Sequence, residues 1–140
     1  MRGFWVLMLV TTGLGCSEKK VHAEDLHLLN GYWQIQEVKM QDGTSRTYGP
    51  ASVIDYIVLK DKKGYKKKVQ PRIDGTYQVS KDQEPLEIRN SETGFMMFYQ
   101  NTLSSWQDRL VSLDSLHYSI VNDDGITYTY TRYQPISIEP

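Results

Sequence analysis

The chain has 140 residues, which suits a single domain, and its formal net charge is −1 with 24% charged residues. This near balance of basic and acidic side chains argues against nucleic acid as a general partner. The chain has one cysteine, which excludes an internal disulfide bond.

The first residues have the pattern of an export signal. Met1 and Arg2 give a basic start, residues 4–10 are apolar, and small residues precede Cys16. The apolar run is shorter than the roughly 20 residues that a bilayer crossing needs. The junction resembles the lipobox of bacterial lipoproteins. The resemblance implies a signal peptide over residues 1–15, acylation of Cys16 by palmitate-type chains, and a membrane anchor in the bacterial cell envelope, on its periplasmic or surface face.

An ordinary signal peptide, cut near the same point and leaving a free thiol, is the alternative to the lipoprotein. In either case the loss of residues 1–15 removes one arginine and no acid. Fifteen basic residues then face 17 acidic ones, and the mature charge is −2. Residues 16–22 are polar and are predicted to form a tether.

A short helical turn is predicted over residues 23–30, before the first strand. Asp25 is a candidate N-cap, and Gly31 supplies the backbone freedom needed where the chain turns into a strand. Leu26 and Leu29 lie three residues apart and can share one face. We therefore expect this turn to close one end of a core.

Alternation of apolar and polar residues with a period of two dominates the rest of the chain. Turn sequences such as Asp74-Gly75 and residues 122–125 separate the segments. We predict strands over residues 31–38, 52–60, 65–70, 76–80, 86–89, 95–99, 106–113, 116–121 and 126–133. Strands in this number, joined by turns, predict an all-β fold: an antiparallel up-and-down meander over residues 23–134 that closes into an 8- to 9-stranded barrel, with residues 135–140 as a tail.

Two short motifs, one near each end of the predicted barrel, carry a family resemblance. Leu29-x-Gly31-x-Trp33 opens the first strand, and Arg132 ends the last one. In this respect the chain is similar to the lipocalin-like domains of the calycin group, particularly the short bacterial lipoproteins. The resemblance implies that Arg132 lies across Trp33 where the barrel closes. A guanidinium over an indole ring contributes about 0.5–2 kcal/mol.

The interior of such a barrel is just large enough for side chains or one small ligand. Side chains expected to point inward include Trp33, Leu59, Leu116 and Ile120, together with eight candidates for lining a ligand. Those eight are Ile35, Ile57, Phe95, Met97, Tyr99, Tyr118, Tyr128 and Tyr130. Most of these residues are bulky, so a packed core is one interpretation and a pocket for an amphiphile is the other.

Six lysines crowd one predicted hairpin: Lys60, Lys62, Lys63, Lys66, Lys67 and Lys68. They are expected to form a solvated strand edge protected by charge, or alternatively a patch for anionic lipid head groups or glycans. The three histidines have no metal-ligand spacing, and Asp123 and Asp124 fit a turn better than an acid–base pair. The sequence therefore predicts no metal, no cofactor and no catalytic residue.

The leading functional prediction is a non-enzymatic, membrane-anchored lipoprotein that binds a small hydrophobic or amphipathic ligand in its barrel. The alternative is a cell-envelope interaction module with a solid core, which docks a protein or a glycan. Its candidate docking residues are the exposed faces of residues 95–99 and Trp106. A third hypothesis is a calycin-type enzyme acting on a bound ligand.

Overall fold

The computed structural model describes Gly3, residues 20–49 and residues 53–134, with the backbone alone at residues 80–82. A 3-10 helix over Ala23–Leu29 precedes nine strands. These are β1 Gly31–Lys39, β2 Ser45–Thr47, β3 Ile54–Lys60, β4 Lys63–Pro71, β5 Tyr77–Ser91, β6 Gly94–Gln100, β7 Ser105–Leu113, β8 His117–Val121 and β9 Thr127–Arg132. The predicted signal peptide, Cys16 and the tail lie outside the described residues.

The strands form one antiparallel sheet that closes on itself. From β3 to β9 each strand pairs with the next along the chain, and β1 pairs with both β3 and β9. Eight strands therefore complete the cylinder, while β2 extends it beside the far end of β1. Closure leaves the barrel strands without a free edge. The prediction of an all-β meander that closes into a lipocalin-like barrel is confirmed.

Three local predictions were wrong. β2 was not predicted, because its short polar sequence has no alternation to detect. The two strands predicted on either side of residues 81–85 form one strand, β5, with Pro85 inside it next to a register shift in the β4–β5 ladder. His22 rather than Asp25 is the N-cap of the 3-10 helix, and no side chain caps it.

The 3-10 helix closes one end of the barrel, as its leucines predicted. Leu26 and Leu29 are almost completely buried against the interior residues. Asn30 ends the helix, and its side-chain oxygen accepts a hydrogen bond of 2.6 Å from the backbone N–H of Leu59 on β3. The turns β3–β4, β5–β6 and β7–β8 lie at this closed end. Among the described residues, no helix has the length and apolarity that a membrane crossing needs.

The half of the interior next to the helix is filled by a solid apolar core. It contains Leu26, Leu29, Trp33, Ile57, Leu59, Leu86, Ile88, Met97, Leu110 and Tyr118, all of them buried, and the same cluster continues towards the open end with Tyr99 and Ile120. Leu116 was predicted to point inward but is 53% exposed, because it lies in the turn before β8 begins at His117. These side chains pack against one another as one cluster, so we expect a ligand to be excluded from this half of the interior.

The far end of the β4–β5 hairpin lies against the outside of the barrel. Tyr77, at the start of β5, stacks on Tyr32 of β1 with ring centroids 4.8 Å apart, and Tyr32 also stacks on Tyr56 of β3 at 4.6 Å. Ile54 and Val69 are register partners on this outer face and are nearly inaccessible to solvent. The hairpin therefore covers a small second core and does not stand over the open end.

Candidate functional site: the mouth of the barrel

The barrel closes through a contact between its first and last strands. Trp33 and Arg132 are register partners, and the Arg132 guanidinium carbon lies 3.8 Å from the centre of the indole. The indole N–H donates to the Leu29 carbonyl at 2.8 Å. Trp33 is completely buried and meets Tyr118 edge to face at 4.7 Å. The predicted pair of Trp33 and Arg132 thus lies at the closed end of the barrel, under the helix.

Arg132 also fastens the helix and one turn to the barrel. Its guanidinium donates to the carbonyls of Asn30 at 2.6 Å, Leu28 at 2.7 Å and Ser115 at 3.2 Å. Gly31 has a φ of +121°, and a Cβ atom there would meet the Arg132 Nη1 at 2.6 Å. Glycine is therefore required at this position both for the backbone conformation and for the arginine beside it.

The other half of the interior, towards the open end, contains charges that were not predicted. We call this end the mouth; it is where the turns β6–β7 and β8–β9 lie. Asp55 on β3 is 4% exposed and accepts a 2.5 Å bond from Lys68 on β4. Lys66 lies 3.6 Å from Glu84 on β5. Buried charges persist where they are paired in this way.

The prediction that all six lysines of the hairpin form a solvated edge is wrong for Lys66, whose side chain is only 15% exposed. Lys68 lies on the same inner face, but its side chain is 57% exposed and remains solvated. Residues that pair directly across a sheet share a face, and Lys66 and Lys68 are paired with Ile57 and Asp55 on the inner face of β3. One signal in the sequence could have shown this. Asp55 alternates with Ile57 and Leu59, so a strand with an apolar inner face carries a carboxylate there and needs a cation opposite it.

Aromatic rings form the rest of the wall in the mouth. Tyr99 stacks on Trp106 at 5.5 Å, Tyr118 stacks on Tyr130 at 4.7 Å, and the Lys66 ammonium lies 4.5 Å from the centre of the Tyr99 ring. Trp106 was proposed as an outer docking residue. The structure places it inside, because it pairs with the inward Tyr99 across β6 and β7.

A cavity of about 330 Å³ opens in the mouth, next to the β8–β9 turn. Its lining contains Trp106, Gln107, Asp108, Ile120, Asn122, Asp123, Asp124, Tyr128 and Tyr130. A second, larger depression of about 960 Å³ lies at the rim beside the β6–β7 turn, between that turn and Glu84. Four of the nine lining residues of the first cavity are aromatic or aliphatic and five are polar or acidic, so a bound molecule would meet both ring faces and carboxylates.

The electrostatics of the mouth raise several pKa values. Burial raises the pKa of the Asp108 carboxyl, the Lys66 ammonium opposes that rise, and Asp123 adds to it. The pKa of the Tyr99 hydroxyl is raised well above its usual value, mainly by burial and then by the charges of Asp108 and Asp55. Burial raises the pKa of the Tyr130 hydroxyl in the same way. Both tyrosines therefore remain neutral hydrogen-bonding groups at physiological pH.

The raised pKa of Asp108 leads to a prediction about stability. A carboxyl whose pKa is higher in the folded than in the unfolded chain destabilises the fold once it ionises, so its contribution falls as pH rises through that window. Asp108→Asn is therefore expected to raise the melting temperature at neutral pH, and the gain should vanish below a pH of about 3.8, the usual carboxyl value.

Asp42→Asn provides a control of opposite sign. Hydrogen bonds from Thr44 lower the pKa of the exposed Asp42 carboxyl, so this variant should lose stability at neutral pH and recover relative to the parent in acid. Thermal unfolding of the three proteins across the pH range measures both effects. A neutral-pH melting temperature of Asp108→Asn at or below that of the parent would refute the placement of an ionised Asp108 in this mouth.

The eight candidates for lining a ligand are distributed over the two halves of the barrel. Tyr128 and Tyr130 line the cavity, and Ile35 pairs with Tyr130 across the barrel closure. Ile57, Met97 and Tyr118 are buried in the solid core, where Phe95 packs against them near the closed end. Tyr99 lies between the halves. Trp106 and Asp108 line the cavity but were absent from the prediction.

The polar residues weighed as catalytic or metal-binding groups remain separate. In the part of the chain that the structure describes, no three histidine, cysteine or acidic side chains are arranged to hold a metal ion. Asn122 accepts hydrogen bonds from the backbone N–H groups of Asp124 and Ile126, so residues 122–126 form the turn that the sequence predicted.

No protein-family model and no curated protein sequence matches the chain. Among solved structures, a lipocalin-like protein from Bacteroides uniformis is 13% identical, with a TM-score of 0.49, over 76% of this chain and 99% of that one. Lobster apocrustacyanin A1 is 11% identical, with a TM-score of 0.48, over 84% of this chain and 67% of that one. These likenesses concern overall shape, and the assignment of a lipocalin-like barrel rests on the strand order and closure described above.

Proposed function

We propose that the protein is a non-enzymatic binding protein that takes one small amphipathic molecule into its mouth. The observation that carries this proposal is the cavity of about 330 Å³, whose lining combines aromatic rings with carboxylates. The solid core is consistent with a small ligand. A molecule bound in the mouth would stop above Met97 and Tyr118 and would not enter the full depth of the barrel. The proposed ligand is therefore short, with an apolar part against the rings and a polar part towards the turns.

A fluorescent probe tests this function. Phenylnaphthylamine, a small apolar fluorophore, is expected to bind saturably at one site and to receive excitation energy from Trp106, which lines the cavity. Trp106→Phe should keep the binding and lose the part of the transfer that comes from Trp106, whereas Trp106→Ala should also weaken the binding, because it removes an aromatic wall. Mass spectrometry of organic extracts from the purified protein would then identify a natural ligand.

Two results together would refute the proposed binding function. If the probe shows no saturable binding and the extracts contain no stoichiometric small molecule, the binding function is refuted. The alternative, an envelope interaction module with a solid barrel, would then be favoured. Binding that is unaffected by Trp106→Ala would place the ligand elsewhere and would also contradict the proposal.

We further propose that the protein is lipid-anchored through Cys16 in a bacterial cell envelope. Its support is the sequence of residues 1–16, with a basic start, a short apolar run and a small residue before the cysteine. The described chain enters the barrel at the closed end, at Ala23, so such an anchor would leave the mouth at the opposite end. Labelled palmitate should enter the wild-type protein, and Cys16→Ser should abolish its incorporation.

A further inference from the structure

The charges in the mouth do not balance one another. Lys68 is engaged by Asp55, and Lys66 lies beside Glu84. Both lysines of this inner face thus have a carboxylate partner, with the Lys68 side chain 57% exposed, and Asp108 is an additional acid on the inner face of β7. Among the described residues, Asp108 has no cation within ion-pair distance. Counting only side chains that the structure describes, the inner face near the mouth carries three carboxylates, Asp55, Glu84 and Asp108, and two ammonium groups, Lys66 and Lys68.

The cavity next to this excess carboxylate is acidic and aromatic. Its lining has three carboxylate residues, Asp108, Asp123 and Asp124, and no lysine or arginine among the described residues. Trp106, Tyr128 and Tyr130 supply ring faces in the same space. Aromatic faces attract cations through their quadrupole, and a carboxylate adds a charge-assisted hydrogen bond.

Asp108 is held where a ligand can reach it. It pairs in register with the completely buried Met97, so its backbone position is fixed by the top of the solid core. Its side chain is half-buried, which leaves part of the carboxylate open to the cavity. A carboxylate beside three aromatic rings makes this cavity favourable for a positively charged group of a ligand.

From this geometry we propose that the ligand is a small organic monocation, an alkyl or aromatic amine whose ammonium group binds Asp108 and whose apolar part lies against Trp106, Tyr128 and Tyr130. This inference rests on the proposed binding function and specifies its ligand class. The ammonium group donates hydrogen bonds to the carboxylate, and the acidic β8–β9 turn attracts the ligand into the mouth.

Three probes that share one skeleton isolate the contribution of charge. Phenylbutylamine, phenylbutanol and phenylbutyrate are cationic, neutral and anionic at neutral pH, and calorimetric titration gives the affinity of each. The amine is expected to bind about tenfold or more tightly than the alcohol, because a hydrogen bond to a charged group is stronger than one to a neutral group. The carboxylate should bind most weakly.

Two variants assign that preference to Asp108. Asp108→Asn should lower the affinity for the amine about tenfold and leave the affinity for the alcohol nearly unchanged, since the apolar walls remain. Glu92→Gln removes one negative charge from the exposed β5–β6 turn at the closed end, and it should change neither affinity. Because Asp108→Asn is expected to be more stable than the parent at neutral pH, its lost affinity would not reflect unfolding.

The results separate this inference from the function on which it rests. Equal affinities for the amine and the alcohol, or an unchanged amine affinity in Asp108→Asn, would overturn the amine assignment while saturable binding still supports a binding protein. Extraction of a stoichiometric neutral or acidic ligand would do the same. The absence of binding by phenylnaphthylamine and by all three probes would overturn both.

Discussion

Trp33→Ala is expected to lower the free energy of unfolding by about 3–5 kcal/mol, as is usual when a fully buried large aromatic residue is truncated. Trp33 is 0% exposed, meets Tyr118 edge to face and has the Arg132 guanidinium over its ring. Its removal leaves a cavity at the closed end and frees the Leu29 carbonyl from its donor. A domain of this size is stabilised by only about 5–15 kcal/mol, so the variant should lose a large share of its stability and unfold at a clearly lower temperature.

Trp106→Ala is the matched control for this substitution. The same side chain is removed, but Trp106 is half-buried in the mouth, next to a cavity that already admits water-sized molecules. The loss there should be clearly smaller than at Trp33. Urea unfolding followed by circular dichroism measures both variants. Equal losses at the two positions would refute the division into a solid lower half and an open upper half.

Arg132→Met is expected to cost about 2–4 kcal/mol. The guanidinium supplies donors to the carbonyls of Leu28, Asn30 and Ser115, and methionine keeps much of the length of the side chain but none of the donors. A hydrogen bond from a charged group contributes about 1.5–3 kcal/mol, and the partial exposure of these bonds reduces their sum. Contact with the Trp33 ring adds about 0.5–2 kcal/mol.

Two further variants show whether the geometry of Arg132, rather than its charge, matters. Arg132→Lys keeps the charge but cannot reach three carbonyls at once, so its stability should lie between those of the parent and Arg132→Met. Arg109→Met removes an exposed arginine from β7, and its effect should lie within about 0.5 kcal/mol. Urea unfolding orders the four proteins, and full stability of Arg132→Lys would contradict the proposed role.

The barrel itself could be predicted from the sequence because its signals are local. Period-two alternation and the turn sequences gave most of the strands, and the segment from Leu29 to Trp33 predicted the closed end. The prediction failed at the β4–β5 register shift between Lys67 and Val69, where one strand, β5, was predicted as two. The sequence of one strand does not show where the neighbouring strand has a β-bulge. The alternation of residues therefore cannot tell which side chains point inward beyond a bulge.

The site was harder to predict than the barrel, for a related physical reason. Lys66 resembles a surface lysine until the β3–β4 register places it opposite the inward Ile57. The same holds for Trp106, which points inward only because it pairs with Tyr99. The composition of the mouth is therefore a property of strand pairing. The pattern of apolar residues alone predicts an interior that is apolar throughout. It does not reveal the charged side chains near the open end.

Fluorine NMR of protein labelled with fluorotryptophan tests the central claim most directly, because tryptophans mark both halves of the barrel. Trp106 lines the cavity, and Trp33 lies in the solid core. Trp106→Phe assigns the mouth resonance. Titration with phenylbutylamine should shift the Trp106 resonance in a saturable way and leave that of Trp33 unmoved. A saturable shift at Trp33, or none at Trp106, would contradict a ligand held in the mouth above a closed core.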